Sequence, residues 1–338
     1  MVLVRKAVGI VLICMVLVCP LGTGEVLAAE TEKNLRSMKY TSRTKDRAIA
    51  WQKELRSKIA ALLKMDDLVS SKTPIPFAPK TLSSEKRGKY VLHEMEINST
   101  KDRRMRIVLT LPTNLKGPFP AVVAIGGHSS KLRSCYDGDS DSGYFRFAHV
   151  LAGKGYVTIA RRVSQHKAYQ KGRTLMGERL WDLMRCVGFL VSLEQVDSRR
   201  IGCGGLSLGG EMAMWLGAMD VRVRAAVSSG FLTTMDQLEK GHCKCWKFPG
   251  LRQLVDFSDI YSMTAPRALL CQNGLKERPT WFCVPLARQA MKEIKLIYTD
   301  FKHPENLALV AHRGGHDVDL PSLLAFFDKH LARPKNGA

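Results

Sequence analysis

The sequence predicts an α/β fold: a mostly parallel, doubly wound sheet with an antiparallel hairpin and a helical extension on its N-terminal side. Three observations carry that expectation. From residue 120 onward, short unbroken apolar runs such as PAVVAI (120–125) alternate with helical stretches, the pattern of strands covered on both faces. The run IGCGGL (201–206) passes through Gly205-Leu206-Ser207-Leu208-Gly209 straight into EMAMWLGA (211–218): a strand, a tight turn and a helix in immediate succession. Upstream, residues 90–97 and 105–111 alternate apolar with polar around the turn sequence NSTKDR (98–103), as the arms of a hairpin do.

Taken in order, residues 1–28 read as a secretory signal. Arg5 and Lys6 open it, residues 7–21 are apolar, and Val26-Leu27-Ala28 before Ala29 suits a signal peptidase. The apolar stretch is shorter than the ~20 residues of a spanning helix, so no membrane span is expected after cleavage, and the location expected is secreted or periplasmic. Cys19 follows Val18 rather than a small residue, which argues against a lipid-anchored cysteine. Residues 29–85 form a helical extension and linker. Within them Ala48, Trp51, Leu55, Ile59, Leu62 and Leu63 recur at spacings of three and four, one stripe of a helix that should pack on the main domain. Residues 70–89, rich in Pro, Ser and Lys, read as a linker or surface loop.

The main domain spans 86–334. After the hairpin, strand 120–125 stops at Gly126-Gly127-His128, and a helix at 144–152 precedes a strand at 155–160. A long polar loop, a helix at about 180–190, the strand and helix around Ser207, and a strand at 223–227 follow. Residues 232–263 interrupt the alternation and read as an insertion near the reactive edge. Strand 267–271, helix 282–293, strand 307–311 and helix 320–331 complete the series. Right-handed crossovers between parallel strands gather the reactive loops at the strands' C-terminal ends.

The chain's 338 residues, 45% hydrophobic and 25% charged, are those of an ordinary globular protein with one large core. Lys+Arg 52 against Asp+Glu 31 gives a net charge of +21, a surface that attracts polyanions, acidic polysaccharide among them. The basic residues are scattered, as in Arg103, Arg104, Arg106, Arg161, Arg162, Arg199 and Arg200, and no nucleic-acid signature accompanies them, so no specific nucleic-acid partner is expected. Signal cleavage would leave Cys135, Cys186, Cys203, Cys243, Cys245, Cys271 and Cys283, an odd number that cannot pair completely. Cys203 and Cys271 lie in strand-like runs and read as small buried hydrophobes.

The chemistry centres on Ser207. Gly205 and Gly209 leave room for a strand and helix to close on it, and the helix N-terminus favours a developing oxyanion. A serine hydroxyl needs a base, and the base an orienting carboxylate. His316, in His312-Arg313-Gly314-Gly315-His316 directly after the last strand, is the expected base; His312, on the strand's end, is the spare. Glu277 is the only carboxylate in QNGLKERP (272–279) and is expected to be the acid, with Asp300 as the alternative. The oxyanion hole should pair the amide of Leu208 with that of His128, with Gly127 as the neighbour lining the substrate side. Trp246 reads either as a sugar-stacking surface or as part of a packed loop. Asp182 is expected to pair with Arg185. His242, Cys243 and Cys245 offer three potential ligands without a fourth at zinc spacing, so neither metal nor other cofactor is expected.

With these motifs in place, the chain resembles the α/β-hydrolase superfamily and, within it, the bacterial acetyl xylan esterase and dienelactone-hydrolase-like branch. The likeness runs over about 51–331 and includes LWDLMR (180–185), the Ser207 turn, HCKCW (242–246), PGL (249–251) and APRALLCQNG (265–274). Dienelactone hydrolases use a cysteine nucleophile, so Ser207 points to ordinary ester cleavage; relatives usually carry Asp where this chain has Glu277. The resemblance implies a secreted serine esterase acting on carbohydrate esters such as acetylated xylan. A glucuronoyl methylesterase, or another esterase of acidic polysaccharide, is the alternative that the +21 charge motivates. Peptide cleavage uses the same machinery. A polyanion-binding protein on an inactive hydrolase scaffold is the non-enzymatic reading.

Overall fold

Thr44 starts the first helix: its hydroxyl accepts from the Arg47 amide and α1 (Lys45–Leu62) follows. The computed structural model describes residues 35–137, 144 and 146–331; the signal expected at 1–28 lies outside them. Ala48, Leu55 and Ile59 bury the predicted stripe of α1. Polar clamps fix the same helix, Gln52 donating to the Ala265 carbonyl at 2.7 Å and Arg56 to those of Ala218 at 2.8 Å and Met263 at 2.6 Å. A short α2 (Asp66–Ser70) leads to β1 (Lys80–Arg87), β2 (Tyr90–Thr100) and β3 (Arg103–Pro112). Part of the expected linker is therefore a strand, β1 pairing antiparallel with β2. Its residues are exposed from Lys80 to Lys86, so an edge strand held by its backbone had no apolar alternation to display.

The alternating part comprises β4 (Phe119–Ile125), α3 (Ser134–Asp137), α4 (Phe147–Gly153), β5 (Val157–Ala160), α5 (Leu175–Val191), β6 (Val196–Leu206), α6 (Leu208–Met219) and β7 (Val223–Ser229). The interruption at 232–263 holds α7 (Met235–Leu238), a 3₁₀ turn (Lys244–Trp246), α8 (Leu251–Leu254) and α9 (Phe257–Ser262). Then come β8 (Ala268–Gly274), α10 (Val284–Asp300), which is longer than expected, β9 (Leu307–His312) and α11 (Leu320–His330).

One nine-stranded sheet runs in the order β1-β2-β3-β5-β4-β6-β7-β8-β9, antiparallel up to β5 and parallel from β5 to β9. The residues of β4 show why its sequence is apolar throughout. Ala121, Val123 and Ile125 face a core with Leu183, Met212, Trp215 and Phe257, while Val122 and Ala124 face one with Phe147, Leu151, Leu323 and Phe327. From β4 the chain moves to β5 on one side and returns to β6 on the other. That reversal opens a crevice beyond the carboxyl ends of β4 and β6, which are paired through Ile125 and Gly205.

Asp182 on α5 ties the hairpin to this sheet rather than pairing with Arg185. Its carboxylate, 1% exposed, receives Arg103 at 2.5 Å, Arg161 at 3.2 Å and the Ser99 hydroxyl at 2.5 Å. Arg185 instead donates to the carbonyls of Ile75 and Asn98. The expected contact fails because Asp182 lies on the face of α5 that is buried against these partners.

Two consequences of α6 are measurable. A Cβ on Gly209 would sit 2.2 Å from the Ile125 carbonyl oxygen, whereas one on Gly153 meets nothing within 4 Å. Gly209→Ala should lower stability in urea unfolding by about 3 kcal/mol, and Gly153→Ala should raise it by about 0.5 kcal/mol. Glu211, 1% exposed, has its carboxyl pushed up to about 7 by burial, with Arg179 opposing. Between its unfolded value of about 4.3 and about 7 the folded chain holds a proton that the unfolded chain has lost, so stability falls as pH rises. Glu211→Gln should flatten the decline between about pH 5 and 7 by roughly 2 kcal/mol; an identical slope in both proteins would contradict a proton on buried Glu211.

Candidate active site

Ser207 stands between β6 and α6 with φ 60° and ψ −122°, a left-handed conformation that side chains rarely adopt. Its amide donates to the Ser229 carbonyl at 2.9 Å and its own carbonyl accepts from Glu211 at 2.9 Å. A Cβ on Gly205 would lie 2.4 Å from the Ile125 oxygen and 2.6 Å from that of Gly209, so both flanking positions need glycine. The turn after β4 closes beside it: the Ser130 hydroxyl donates to the Gly127 carbonyl at 2.7 Å, and a Cβ on Gly127 would lie 3.3 Å from that of Ser207.

The two candidate oxyanion donors differ from their neighbour in this turn. Gly127 N–H is engaged, donating to the Tyr144 hydroxyl at 2.6 Å. Those of His128 and Leu208 have no acceptor among the described residues. Leu208 is the first residue of α6, where such amides point outward from the helix end.

The loops after β8 and β9 are laced together. Leu275 N–H donates to the His312 carbonyl at 2.8 Å and Lys276 N–H to that of Gly314 at 3.0 Å, while a Cβ on Gly274 would collide with Gly315. This lacing carries Glu277 to His316, whose Nδ1 lies 2.7 Å from Glu277 Oε1. The carboxylate is 1% exposed and the imidazole 32%. A histidine whose Nδ1–H donates to a carboxylate in this way keeps its Nε2 lone pair available to accept a proton. Phe282 stacks on the imidazole at 5.5 Å, and the ring packs against Gly230, directly after the Ser229 that holds the serine amide. Ser207 Oγ makes no hydrogen bond to a described residue; such bonds commonly tighten only when substrate is bound.

Other candidates lie elsewhere. Asp300 ends α10, which runs back from the carboxyl edge of the sheet, and accepts from the Tyr40 hydroxyl at 2.6 Å. His312 stays on β9, its Nδ1 accepting from Gly314 N–H at 3.2 Å. Trp246 is not a sugar-stacking surface: it is 1% exposed and packs edge-on against Phe257, because burying a large apolar ring outweighs leaving it on a loop. Trp281 is the half-buried indole near His316, 6.3 Å away, with Arg278 over its face at 4.5 Å. Its place in the acid loop, four residues past Glu277, was the signal for it.

The ring of His128 is held neutral, burial and the nearby His242 and Arg179 pushing its pKa down to about 4. Its Nε2 lies 3.0 Å from Cys245 Sγ. Around it the ligand atoms of His128, His166, Cys243 and Cys245 lie within 4.8 Å of one another. This set differs from the triple His242, Cys243 and Cys245 considered in the sequence, since His242 turns its Nδ1 to the Cys243 carbonyl at 3.1 Å. All seven described cysteines are free, and Cys203 and Cys271 are fully buried.

On the same sheet edge, a cleft of about 760 Å³ is lined by Arg103, Arg104, Arg106, Lys131, Arg133, Arg161 and Arg162, with Glu94 and Asp137 as the carboxylates among its described lining residues. Topology places it there: β3 runs antiparallel to β5, so its first residues extend past the carboxyl end of β5, and Lys131 follows the turn at 126–130.

Comparison with known proteins is consistent with this architecture. The family model for acetyl xylan esterase matches residues 84–237, which include Ser207 and the turn after β4. A Bacillus subtilis protein described as "Putative hydrolase YtaP" is 25% identical over 232 residues, 61% of this chain and 76% of that one. Among solved structures, the methylesterase BT1017 superposes with a TM-score of 0.69 at 17% identity, over 85% of this chain and 65% of that one. A glucuronoyl esterase from Solibacter usitatus superposes with a TM-score of 0.63 at 17% identity, over 87% and 98%. With this sheet, this turn at Ser207 and these matches, the chain has the α/β-hydrolase fold, and its residues 84–237 match the acetyl xylan esterase family.

Proposed function

We propose that the chain is a secreted serine esterase that removes acyl groups from carbohydrate esters, acetylated xylan among them. The observation that carries this reading is the 2.7 Å contact between His316 and buried Glu277, formed at the same sheet edge that holds Ser207 in its left-handed turn. In the proposed reaction His316 Nε2 takes the Ser207 proton as Oγ bonds to the ester carbonyl carbon. The amides of His128 and Leu208 receive the oxyanion, and Glu277 stabilises the imidazolium. Collapse breaks the bond to the sugar oxygen, which leaves with the proton from His316. Water, deprotonated by the same imidazole, then releases the acid and restores Ser207.

A second reading, cleavage of esters on acidic polysaccharide such as methyl glucuronate, is favoured by the cationic cleft. Arg103 and Arg161 are committed to Asp182, but Arg162 and Lys131 pair with no carboxylate among the described residues and remain suited to a uronate. The methylesterase and glucuronoyl esterases among the structural neighbours support the fold for either substrate.

Ser207→Ala should lower 4-nitrophenyl acetate hydrolysis on the order of 10³-fold or more, and Glu277→Gln by roughly 10²- to 10⁴-fold with the fold intact. Unchanged activity in the serine variant would exclude the mechanism. Acetylated neutral xylan and methyl glucuronate esters, compared at low and high salt, separate the substrates. Turnover of the uronate that weakens with salt and in Lys131→Glu, while neutral xylan is ignored, selects the second reading.

A further inference from the structure

We propose that His128, His166, Cys243 and Cys245 form a closed four-ligand site for a borderline-soft divalent cation of the zinc type, outside the reacting atoms. Three separate stretches deliver the ligands: the turn after β4, the loop after β5, and, in the 232–263 interruption, Cys243 with the 3₁₀ turn that follows it. Two sulfurs and two imidazole nitrogens are a donor set that zinc takes readily, and one that hard cations do not.

The distances fit. A tetrahedral zinc ion, with Zn–N of about 2.0 Å and Zn–S of about 2.3 Å, holds its nitrogen and sulfur ligands roughly 3.6 Å apart. Cys243 Sγ is 3.6 Å from His166 Nε2, and His128 Nε2 is 3.0 Å from Cys245 Sγ. No pair in the set exceeds 4.8 Å, so a shift of about an ångström closes it around an ion. His166 and Cys243 are exposed, and a cavity of about 350 Å³ lined by His166, Cys243, Cys245, Lys244 and Lys247 provides a route inward from solvent.

Four protein ligands leave no open coordination position, so the ion's role is to join loops rather than to activate water. It would pin the 232–263 interruption to residue 128, whose own amide belongs to the proposed oxyanion hole. That last link rests on the esterase mechanism proposed above; the site itself does not.

The test uses the untagged full chain, reduced, stripped with a chelator, re-equilibrated with Zn²⁺ or Co²⁺ and desalted. Elemental analysis should find one zinc per chain. The cobalt form should show the intense visible bands of tetrahedral coordination together with thiolate-to-metal charge transfer. Both should be lost in Cys243→Ser and in His166→Ala, substitutions at exposed positions that should leave the circular dichroism unchanged. Ser207→Ala should bind metal as the parent does, which separates this site from the catalytic reading. Removing the metal should lower kcat on 4-nitrophenyl acetate severalfold, and adding zinc should restore it. Any of three results would overturn the site: binding no greater than in the Cys243→Ser, His166→Ala double variant, an octahedral cobalt spectrum, or a Cys243–Cys245 disulfide in isolated chain that takes up no metal after reduction. A kcat indifferent to the metal would overturn the link to residue 128.

Discussion

The carbonyl of Ile125 occupies the space that a side chain at either 205 or 209 would need, and the rest of the reactive edge depends on that close approach. It brings the end of β4 against the turn from β6 to α6. Because the order of strands reverses at β4, the approach also places the turn containing Gly127 and His128 beside Ser207. A non-glycine residue at φ 60° carries strain of order 1 kcal/mol or more. Here it is sustained by two buried parallel strands and by the hydrogen bond from the Ser207 amide to Ser229.

The remaining loops of that edge are anchored by buried amides rather than by apolar contact alone. Asn273 donates to the carbonyls of Leu232 and Phe282, tying the start of the loop after β7 to the end of the loop after β8, whose Phe282 stacks on His316. Gln272 accepts from the Ser229 hydroxyl at 2.6 Å and donates to the Asp319 carbonyl and the Ser322 hydroxyl. One strand end thus ties β7, β8 and α11 together. A buried network of this kind favours one arrangement, because any other leaves these amide N–H groups unpaired.

The net charge of +21 overstates the cationic surface. Several arginines are spent inside as clamps on carbonyls. Arg267, its pKa pushed down to about 10 by burial, donates to the carbonyls of Gly217 at 2.6 Å and Val223 at 2.7 Å. Arg200 reaches that of Pro118 at 2.7 Å, and Arg56 and Arg185 act alike. What remains gathers in part in the cleft around Lys131 and Arg162, where charge selects a ligand rather than stabilising the fold.

Sequence alone determined the alternation of strands and helices, the turn at Ser207 and the apolar stripe of α1. These follow from periodicity and backbone sterics within about a dozen residues, where side-chain pattern and conformation are directly linked. The antiparallel edge strand β1 is not legible in the sequence because its exposed residues carry no period, and helix spacing suggests Arg185 rather than Arg103 for Asp182 because it says nothing of what lies across the interface. Only the tertiary structure decided which carboxylate faces His316, that Trp246 turns inward while Trp281 borders the site, and that His128 and His166 meet two cysteines. Those contacts join residues 39, 77 and 117 positions apart, and they are set by how loops close over a sheet, which no local spacing encodes.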